Sequence, residues 1–343
     1  MSIFEDFLNK YVHVRNIIFL FLVVLFLMFI FCCKNIAIMF FASFVIACSI
    51  NPIVDKLEKK MPRHIATILV TFAIIILLLA IFVPIFLLSF EQIKMFLHKL
   101  PHYIDNFDEY LFRLPLLKQF HFLANDADDV MEQISLSSSD ILTRLMDIGK
   151  YAGSVCMYLF VSIIIIFSMV SDKTKIKDYY LRIFPSNMRK RAEEVGKIIS
   201  EKMGGYLIAL IATSASVGIV MLIGLLMLKV PYAMLMALIS AIFDIVPVVG
   251  PAAALLICIF AAYQAGNNAV IAVIVVFALA QLIENNLVRP YIFGKVMHIH
   301  PIIIFLFLFI AADYIGVVGV IFAPAIAALV AVLFEELYLK RVN

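Results

Sequence analysis

Two aspartates lie inside long apolar stretches, and their chemistry is the first feature of this sequence that needs an explanation. Asp244 is the only charged residue between Val230 and Tyr263, and Asp313 is the only one within 301–334. A carboxylate at the centre of a spanning helix costs about 2.5 to 3.5 kcal/mol to insert, so such residues usually face a cavity or a partner. Both carboxylates are therefore candidate sites for a proton or a coupling ion. The alternative is that each is a hydrogen-bonded structural residue that holds a kinked helix.

The two aspartates begin similar heptapeptides, and each heptapeptide runs on toward a proline. "DIVPVVG" occupies 244–250 and "DYIGVVG" occupies 313–319, and the two share Asp, Val, Val and Gly at matching positions. Proline removes a backbone donor and glycine permits a sharp bend, so both segments predict a break in a helix. The residues predicted to form a substrate or ion site are Asp244, Pro247, Gly250, Asp313, Gly316 and Gly319.

Each heptapeptide lies near the middle of an apolar stretch, at 231–263 and 301–334. Stretches of about 33 residues are too long for one ordinary crossing and too short for two. They predict two broken, re-entrant helical hairpins. The number of crossings between them implies that the two hairpins enter the membrane from opposite faces. Inverted, interrupted segments of this kind mark a midplane binding site in secondary transporters, where unwound carbonyls and helix ends bind ions.

A third polar feature is the segment "QLIENNLVRPYIFGKVMHIHP" at 281–301, which follows an apolar run. Five polar side chains fall within a few helical turns of one another. A pair of Glu284 with Arg289, or a ladder of amides, is predicted to gate the cytoplasmic mouth of the transporter; simple anchoring at the interface is the alternative. The residues of this predicted gate are Gln281, Glu284, Asn285, Asn286 and Arg289.

The elements that position these residues follow from composition. The 343-residue chain is 65% hydrophobic and 15% charged, with a mean hydropathy of +1.09, so it is predicted to be an integral membrane protein. The apolar runs far exceed strand length, which favours helices over a barrel. The expected fold is an all-α polytopic bundle with about six full crossings plus the two hairpins. The crossings are expected at 17–33, 35–50, 65–90, 151–171, 206–228 and 269–283.

Loop charges predict the orientation, because cytoplasmic loops are enriched in Lys and Arg. Residues 51–64 hold four basic and two acidic side chains, residues 172–205 hold nine and five, and residues 91–150 hold six and ten. The first two segments and both termini are therefore expected in the cytoplasm, and 91–150 outside. The first apolar run lacks a small-residue cleavage site and is expected to stay in the mature protein.

These assignments predict three regions along the chain. Membrane helices are expected at 1–90, an extracytoplasmic insert of short amphipathic helices at 91–150, and a transport core at 151–343 that contains a cytoplasmic amphipathic segment at 172–205. Within that segment a helix is predicted to be capped by Ser186, with its basic face toward anionic headgroups.

Several function classes find no support in the residues. No segment fits the phosphate-binding pattern G-x-x-x-x-G-K-[ST], so ATP is not expected to drive transport, and no cofactor is predicted. His298 and His300 lack a third ligand, so no metal site is expected. The stretches H-E-x-x-H and G-x-S-x-G are absent, which argues against an intramembrane enzyme. The net charge of +3 is small and implies no nucleic-acid partner.

Most of the chain, with 91–150 as the least recognisable part, resembles the autoinducer-2 exporter-like family of bacterial permeases. The segments that carry the resemblance are "KMGGYLIAL", "IVPVVGP", "LIENNLVRPYIFGK", "HP" and "GVVGVIFAPAIAAL", with "NPIVDKLEKKMPRHIATILV" nearer the N-terminus. The matching positions are Pro247, Gly250, Pro251, Glu284, Asn285, Asn286, Pro290, Gly294, His300, Pro301, Gly316, Gly319 and Pro324. The resemblance implies a polytopic inner-membrane transporter that is homo-oligomeric. Members of the family export autoinducer-2 or other small solutes, or exchange sodium for protons.

The residues and the resemblance together predict a secondary transporter. It would export a small solute or signal molecule and couple that export to a proton or sodium gradient through Asp244 and Asp313. The expected partners are membrane lipid, the transported solute or ion, and further copies of the chain. A Na⁺/H⁺ antiporter, a passive channel for small solutes, and a scaffold built around the outer insert are the alternatives.

Overall fold

The computed structural model describes residue 28 and residues 32–105, 156–247, 249–263, 265–292 and 300–336. Most of this part of the chain is helical, because an apolar backbone without access to water must satisfy its own hydrogen bonds. The helices, in chain order, are α1 (Lys34–Leu57), α2 (Arg63–Asp105), α3 (Cys156–Ser171), α4 (Lys173–Ile183), α5 (Arg189–Met227), α6 (Ala233–Asp244), α7 (Val249–Tyr263), α8 (Asn267–Ile283), α9 (Pro301–Tyr314) and α10 (Val317–Phe334).

The number of crossings agrees with the predicted polytopic helical bundle. Among the described residues, five helical segments are long and apolar enough to span a membrane, and six if the bent pair of α3 and α4 counts as one span. The five are Lys34–Leu57, Arg63–Phe90, Arg189–Met227, Asn267–Ile292 and Val317–Phe334. The predicted fold class is therefore confirmed. The expected crossing at 17–33 lies almost wholly outside the described residues, as do residues 106–150 of the predicted insert.

Two helix boundaries differ from the predicted ones. Helix α2 continues to Asp105, so the first part of the predicted insert belongs to the same helix as the crossing. Residues 85–100 contain neither glycine nor proline, and nothing in them stops the helix. The predicted cap at Ser186 is wrong, because that residue lies in a turn and α5 begins at Arg189. From there α5 runs unbroken to Met227, which joins the amphipathic segment and the crossing in one helix.

The chain divides into two compact units. The first comprises Met1–Cys48, Ser162–Met203 and Ile299–Asn343, and the second comprises Ser49–Val161 and Gly204–His298. The division into 1–90, 91–150 and 151–343 stays a prediction, because it concerns membrane topology rather than compactness.

The core of the second unit is formed by α6, α7, α8 and the C-terminal part of α5. It is a cluster of buried apolar side chains that includes Met221, Met236, Cys258 and Val273. Glycines allow the helices to approach closely, as is usual between membrane helices. A Cβ added at Gly224 of α5 would lie 2.6 Å from a methyl group of Val276 of α8.

Helices α6 and α7 lie side by side and run in opposite directions. The Cys258 Sγ of α7 lies 3.7 Å from both the Met236 carbonyl and the Ser240 hydroxyl of α6. At the start of α6 the Leu235 amide donates to the Gln92 side chain of α2, at 3.1 Å. This bond satisfies one of the amides that a helix N-terminus leaves without an intrahelical partner.

The first unit contains the other helix pair, α9 and α10, which pack against each other. At the turn between them the Lys34 ammonium of α1 donates to the Tyr314 carbonyl, at 2.7 Å. Phe41 of α1 packs edge-on against Phe322 of α10, with ring centroids 6.3 Å apart. After the end of α10 the Glu336 carboxylate is paired with Arg191 of α5. These contacts hold α10 at both ends.

Candidate functional site

The site begins at Asp244, which is the last residue of α6. The helix ends in a tightened turn, in which the Val246 amide donates to the Phe243 carbonyl at 3.0 Å. Pro247 follows and cannot donate a backbone hydrogen bond, so α6 stops and α7 begins at Val249. Asp244 is only 4% exposed. The predicted break in 231–263 is therefore present, and it leaves a buried carboxylate at the helix end.

Gly250 allows the two helices to meet at this turn. A Cβ added at Gly250 would lie 1.7 Å from the Phe243 carbonyl oxygen. No side chain fits such a distance, so the start of α7 can pack on the end of α6 only with glycine at this position. Gly250 thus positions Asp244 through the backbone. Pro247 acts in the same way, as the residue that ends α6.

Two side chains face Asp244, one from the last turn of α8 and one from the residue that follows this helix. Gln281 donates from Nε2 to Asp244 Oδ1 at 3.5 Å, and the carboxyl of Glu284 is near enough for the charges of the two carboxylates to interact. Glu284 is fully buried. Gln281 and Glu284 are three positions apart, and such residues share one face of a helix. The structure therefore joins the break at 244 to the polar segment at 281, two features that are far apart along the sequence.

A π-helical turn, Glu284–Val288, follows α8 and leads into a last α-helical turn at Arg289–Ile292. Hydrogen bonds in a π-helix connect residues five apart, and π turns inside α-helices often occur at functional sites. Glu284 and Arg289 are five apart, and Arg289 Nε donates to Glu284 Oε1 at 2.6 Å. The Arg289 side chain is 42% exposed, so this pair connects the buried carboxylates with the surface.

The carboxyl pair is incompletely satisfied. Asp244 Oδ2 and Glu284 Oε2 are both buried and have no hydrogen-bond partner among the described residues. Two carboxylates carry two negative charges, and Arg289 supplies one positive charge. Buried carboxylates are costly unless they are paired and hydrogen-bonded. The arrangement can bind one further positive charge, either as a shared proton or as a small cation between the two free oxygens.

The remaining predicted gate residues lie on the other side of the helix. Asn285 and Asn286 are exposed, and Asn286 donates to the Leu282 carbonyl of its own helix at 2.9 Å. Of the five residues predicted for the gate, the structure brings Gln281, Glu284 and Arg289 together at Asp244.

The second predicted heptapeptide forms a different turn. Asp313 is exposed and belongs to the first unit, whereas Asp244 belongs to the second. Gly316 has a φ of +82°, which is a conformation that favours glycine, and it lies between α9 and α10. A Cβ added at Gly319 would lie 2.8 Å from the Ala311 carbonyl oxygen. This turn thus has the close glycine contact of the first turn without its buried carboxylate.

The two helix pairs also differ in length. Helices α6 and α7 have 12 and 15 residues, which is short for a crossing, whereas α10 has 18 residues and qualifies as one. The similarity between the heptapeptides therefore predicts the turns but not the lengths of the helices around them.

The fold defines a multi-pass helical membrane protein. The chain belongs to the AI-2E family of transporters, because the family model "AI-2E family transporter" matches residues 19–339. The family resemblance seen in the sequence is thereby confirmed.

The relatives carry names that refer to transport. YueF and YtvI of Bacillus subtilis are provisionally named transport proteins. YueF is 26% identical over 83% of this chain and 79% of its own length, and YtvI is 24% identical over 88% of each chain. A protein of Halobacillus andaensis named as a sodium-lithium/proton antiporter is 25% identical over 59% of this chain and 57% of its own length.

Proposed function

We propose that the protein is a gradient-coupled secondary transporter of the bacterial inner membrane that exports a small solute. The Asp244–Glu284 pair binds the coupling ion. The observation that carries this proposal is the presence of two buried carboxylate oxygens, one from each residue, without a partner among the described residues. A proton or Na⁺ supplies the positive charge that Arg289 leaves unbalanced.

The lengths of the helices in the second unit support a site inside the membrane. Helix α6 has 12 residues and reaches about 18 Å, well short of the roughly 30 Å hydrocarbon layer. The α6–α7 pair is connected at one end to α5 and at the other to α8, both of which belong to segments long enough to cross. A short antiparallel pair between two full crossings enters and leaves on one side. Asp244, at its tip, would then lie within the membrane.

Arg289 is the gate in this proposal. Its guanidinium is half-exposed while its partner Glu284 is fully buried, so it covers the carboxyl pair from the surface. Movement of Arg289 away from Glu284 would expose both carboxylates to an ion from the adjacent compartment. The π turn supports this role, because π turns are frequent at functional sites.

Exchange of Na⁺ for protons is the second candidate function. The same pair of carboxylates can hold either a cation or a proton, and alternation between the two is antiport. The relative from Halobacillus andaensis, whose printed name is that of a sodium-lithium/proton antiporter, favours this candidate. The two candidates share the ion site and differ only in whether a solute moves with the ion.

One experiment on reconstituted protein tests both candidates. Vesicles containing the protein and the pH-sensitive dye pyranine are given Na⁺ or Li⁺, or are given autoinducer-2 as a probe solute under an imposed pH gradient. Proton movement driven by the cation alone indicates antiport. Accumulation of solute that a protonophore abolishes indicates coupled export. Equilibration of solute at the same rate with and without any gradient would contradict coupling and indicate a passive channel.

A further inference from the structure

Helix α4 turns sharply away from the apolar helix that precedes it. Helix α3 ends at Ser171, α4 begins at Lys173, and the angle between the two helix axes is 78°. If α3 crosses the membrane, a helix bent from it by this angle lies along the plane of the membrane. No residue of α4 is buried in the protein, although the helix contains isoleucines, tyrosines and a leucine.

One face of α4 is held against the start of α5. The Tyr180 hydroxyl donates to the Ala192 carbonyl at 3.2 Å, and the Tyr180 ring lies beside Gly196. Lys177 forms an ion pair with Glu193 at 2.5 Å. These contacts lie within the first unit and fix the orientation of α4 about its own axis.

The fixed orientation leaves an apolar stripe that the described part of the chain does not cover. Ile176, Tyr179 and Ile183 are 46%, 68% and 70% exposed, and their spacing of three and four residues puts them on one side of the helix. Lys175 and Arg182, seven positions apart, lie along one edge of this stripe. The Arg182 guanidinium lies 5.8 Å from the centre of the Tyr179 ring, and Lys175 is 73% exposed although it contacts Asp172 at 2.9 Å.

We propose that α4 is an interfacial anchor that binds the anionic phospholipids of the membrane around it. Ile176, Tyr179 and Ile183 enter the boundary between headgroups and acyl chains, and Lys175 and Arg182 contact the phosphates. An apolar stripe with a basic edge, on a helix that lies in the membrane plane, is the arrangement that binds such a surface. Tyrosine is enriched at this depth because its ring is apolar and its hydroxyl is polar. The proposal does not depend on which solute or ion is transported.

The chain contains no tryptophan, so a single introduced tryptophan reports its own surroundings without background. Tyr179→Trp places the reporter on the apolar stripe. Thr174→Trp is the matched control, because Thr174 is exposed on another side of the same helix. Both variants are reconstituted in vesicles that contain lipids brominated near the headgroup end of the acyl chain. We expect quenching at position 179 to exceed quenching at position 174 by about twofold or more, with the reverse order for aqueous iodide.

The contribution of the two basic side chains to lipid binding is tested by adding Lys175→Gln and Arg182→Gln together to the Tyr179→Trp variant. In the parent variant, quenching should rise when phosphatidylglycerol replaces part of the phosphatidylcholine, and it should fall again with added salt. The double variant should lose this response. Lys59→Gln with Lys60→Gln removes the same charge from another exposed segment and should retain it. Equal bromolipid quenching at positions 174 and 179 would overturn the proposal, because it would mean that α4 faces water or another protein. The proposal would also be overturned if the double variant kept the parental rise in quenching with phosphatidylglycerol.

Discussion

The Glu284 carboxylate is bound to Arg289 across a single π-helical turn, with 2.6 Å between Oε1 and Nε. Glu284 is fully buried, whereas the Arg289 side chain is 42% exposed. The second Glu284 oxygen is without a partner among the described residues and belongs to the carboxyl pair with Asp244. One carboxylate thus serves both the ion pair at the surface and the buried site. Because Arg289 is the counter-charge of this carboxylate, its contribution to protein stability can be measured separately from transport.

Replacement of Arg289 by glutamine should destabilise the protein. The substitution leaves two buried carboxylates without a counter-charge, and removal of one partner from a buried ion pair costs about 3 to 5 kcal/mol. The exposed half of the Arg289 side chain reduces this cost, so we expect about 3 kcal/mol or less. A fall of several degrees in the thermal unfolding midpoint of the purified protein is the expected result.

A second substitution checks the cause of that loss. Glu284→Gln combined with Arg289→Gln removes both charges, and the removal of both partners is often nearly neutral. The double variant should therefore recover much of the stability lost in Arg289→Gln, which a double-mutant cycle measures. Additive losses in the two single variants would show that the pair is not coupled.

Gly250→Ala should prevent normal folding of the α6–α7 pair. The added Cβ would lie 1.7 Å from the Phe243 carbonyl oxygen, and a backbone atom cannot move aside as the end of a side chain can. We expect a cost above about 3 kcal/mol and a large fall in the yield of monodisperse protein.

Gly196→Ala is the matched control for this substitution. Its Cβ would lie 3.4 Å from the Tyr180 ring, which is an ordinary contact, and alanine favours a helix more than glycine does. Its yield in size-exclusion chromatography should equal that of the parent protein. A Gly250→Ala variant with parental yield and stability would show that the turn at 244–250 is looser than described.

Asp313→Asn should reduce gradient-driven transport much less than Asp244→Asn does. Asp313 is exposed and so avoids the cost of a carboxylate buried inside the protein, whereas Asp244 is only 4% exposed. Initial rates in reconstituted vesicles provide the comparison. Equal losses in the two variants would mean that both carboxylates bind the coupling ion, as the similarity of the two heptapeptides suggests.

Local patterns in the sequence were sufficient to predict the helices and the turns. Apolar runs of spanning length predicted crossings, and proline and glycine at 247 and 316 predicted the breaks after 244 and 313. These features depend on neighbours along the chain, where length and spacing determine the outcome.

The meeting of Asp244 with Glu284 could not be predicted in this way. The two residues are on different helices, and no spacing rule connects them. The spacing of Gln281 and Glu284 on one helix face was the available signal, but it does not say which partner that face meets. The π turn was also beyond prediction, because periodicity distinguishes helix from strand but not one kind of helical turn from another. The exposure of Asp313 depends in the same way on packing.

Neutralisation of the carboxyl pair in reconstituted vesicles tests the central claim most directly. Asp244→Asn and Glu284→Gln are compared with Glu201→Gln, which alters a carboxylate that is 67% exposed and paired only loosely with Lys197, at 3.9 Å. Proton flux is followed with trapped pyranine after a pulse of Na⁺ or Li⁺, and solute flux with autoinducer-2 under an imposed pH gradient. We predict that each variant of the pair falls to the level of protein-free vesicles while Glu201→Gln keeps the parental rate. Parental gradient-driven flux in correctly assembled Asp244→Asn would contradict the proposal that this pair binds the coupling ion.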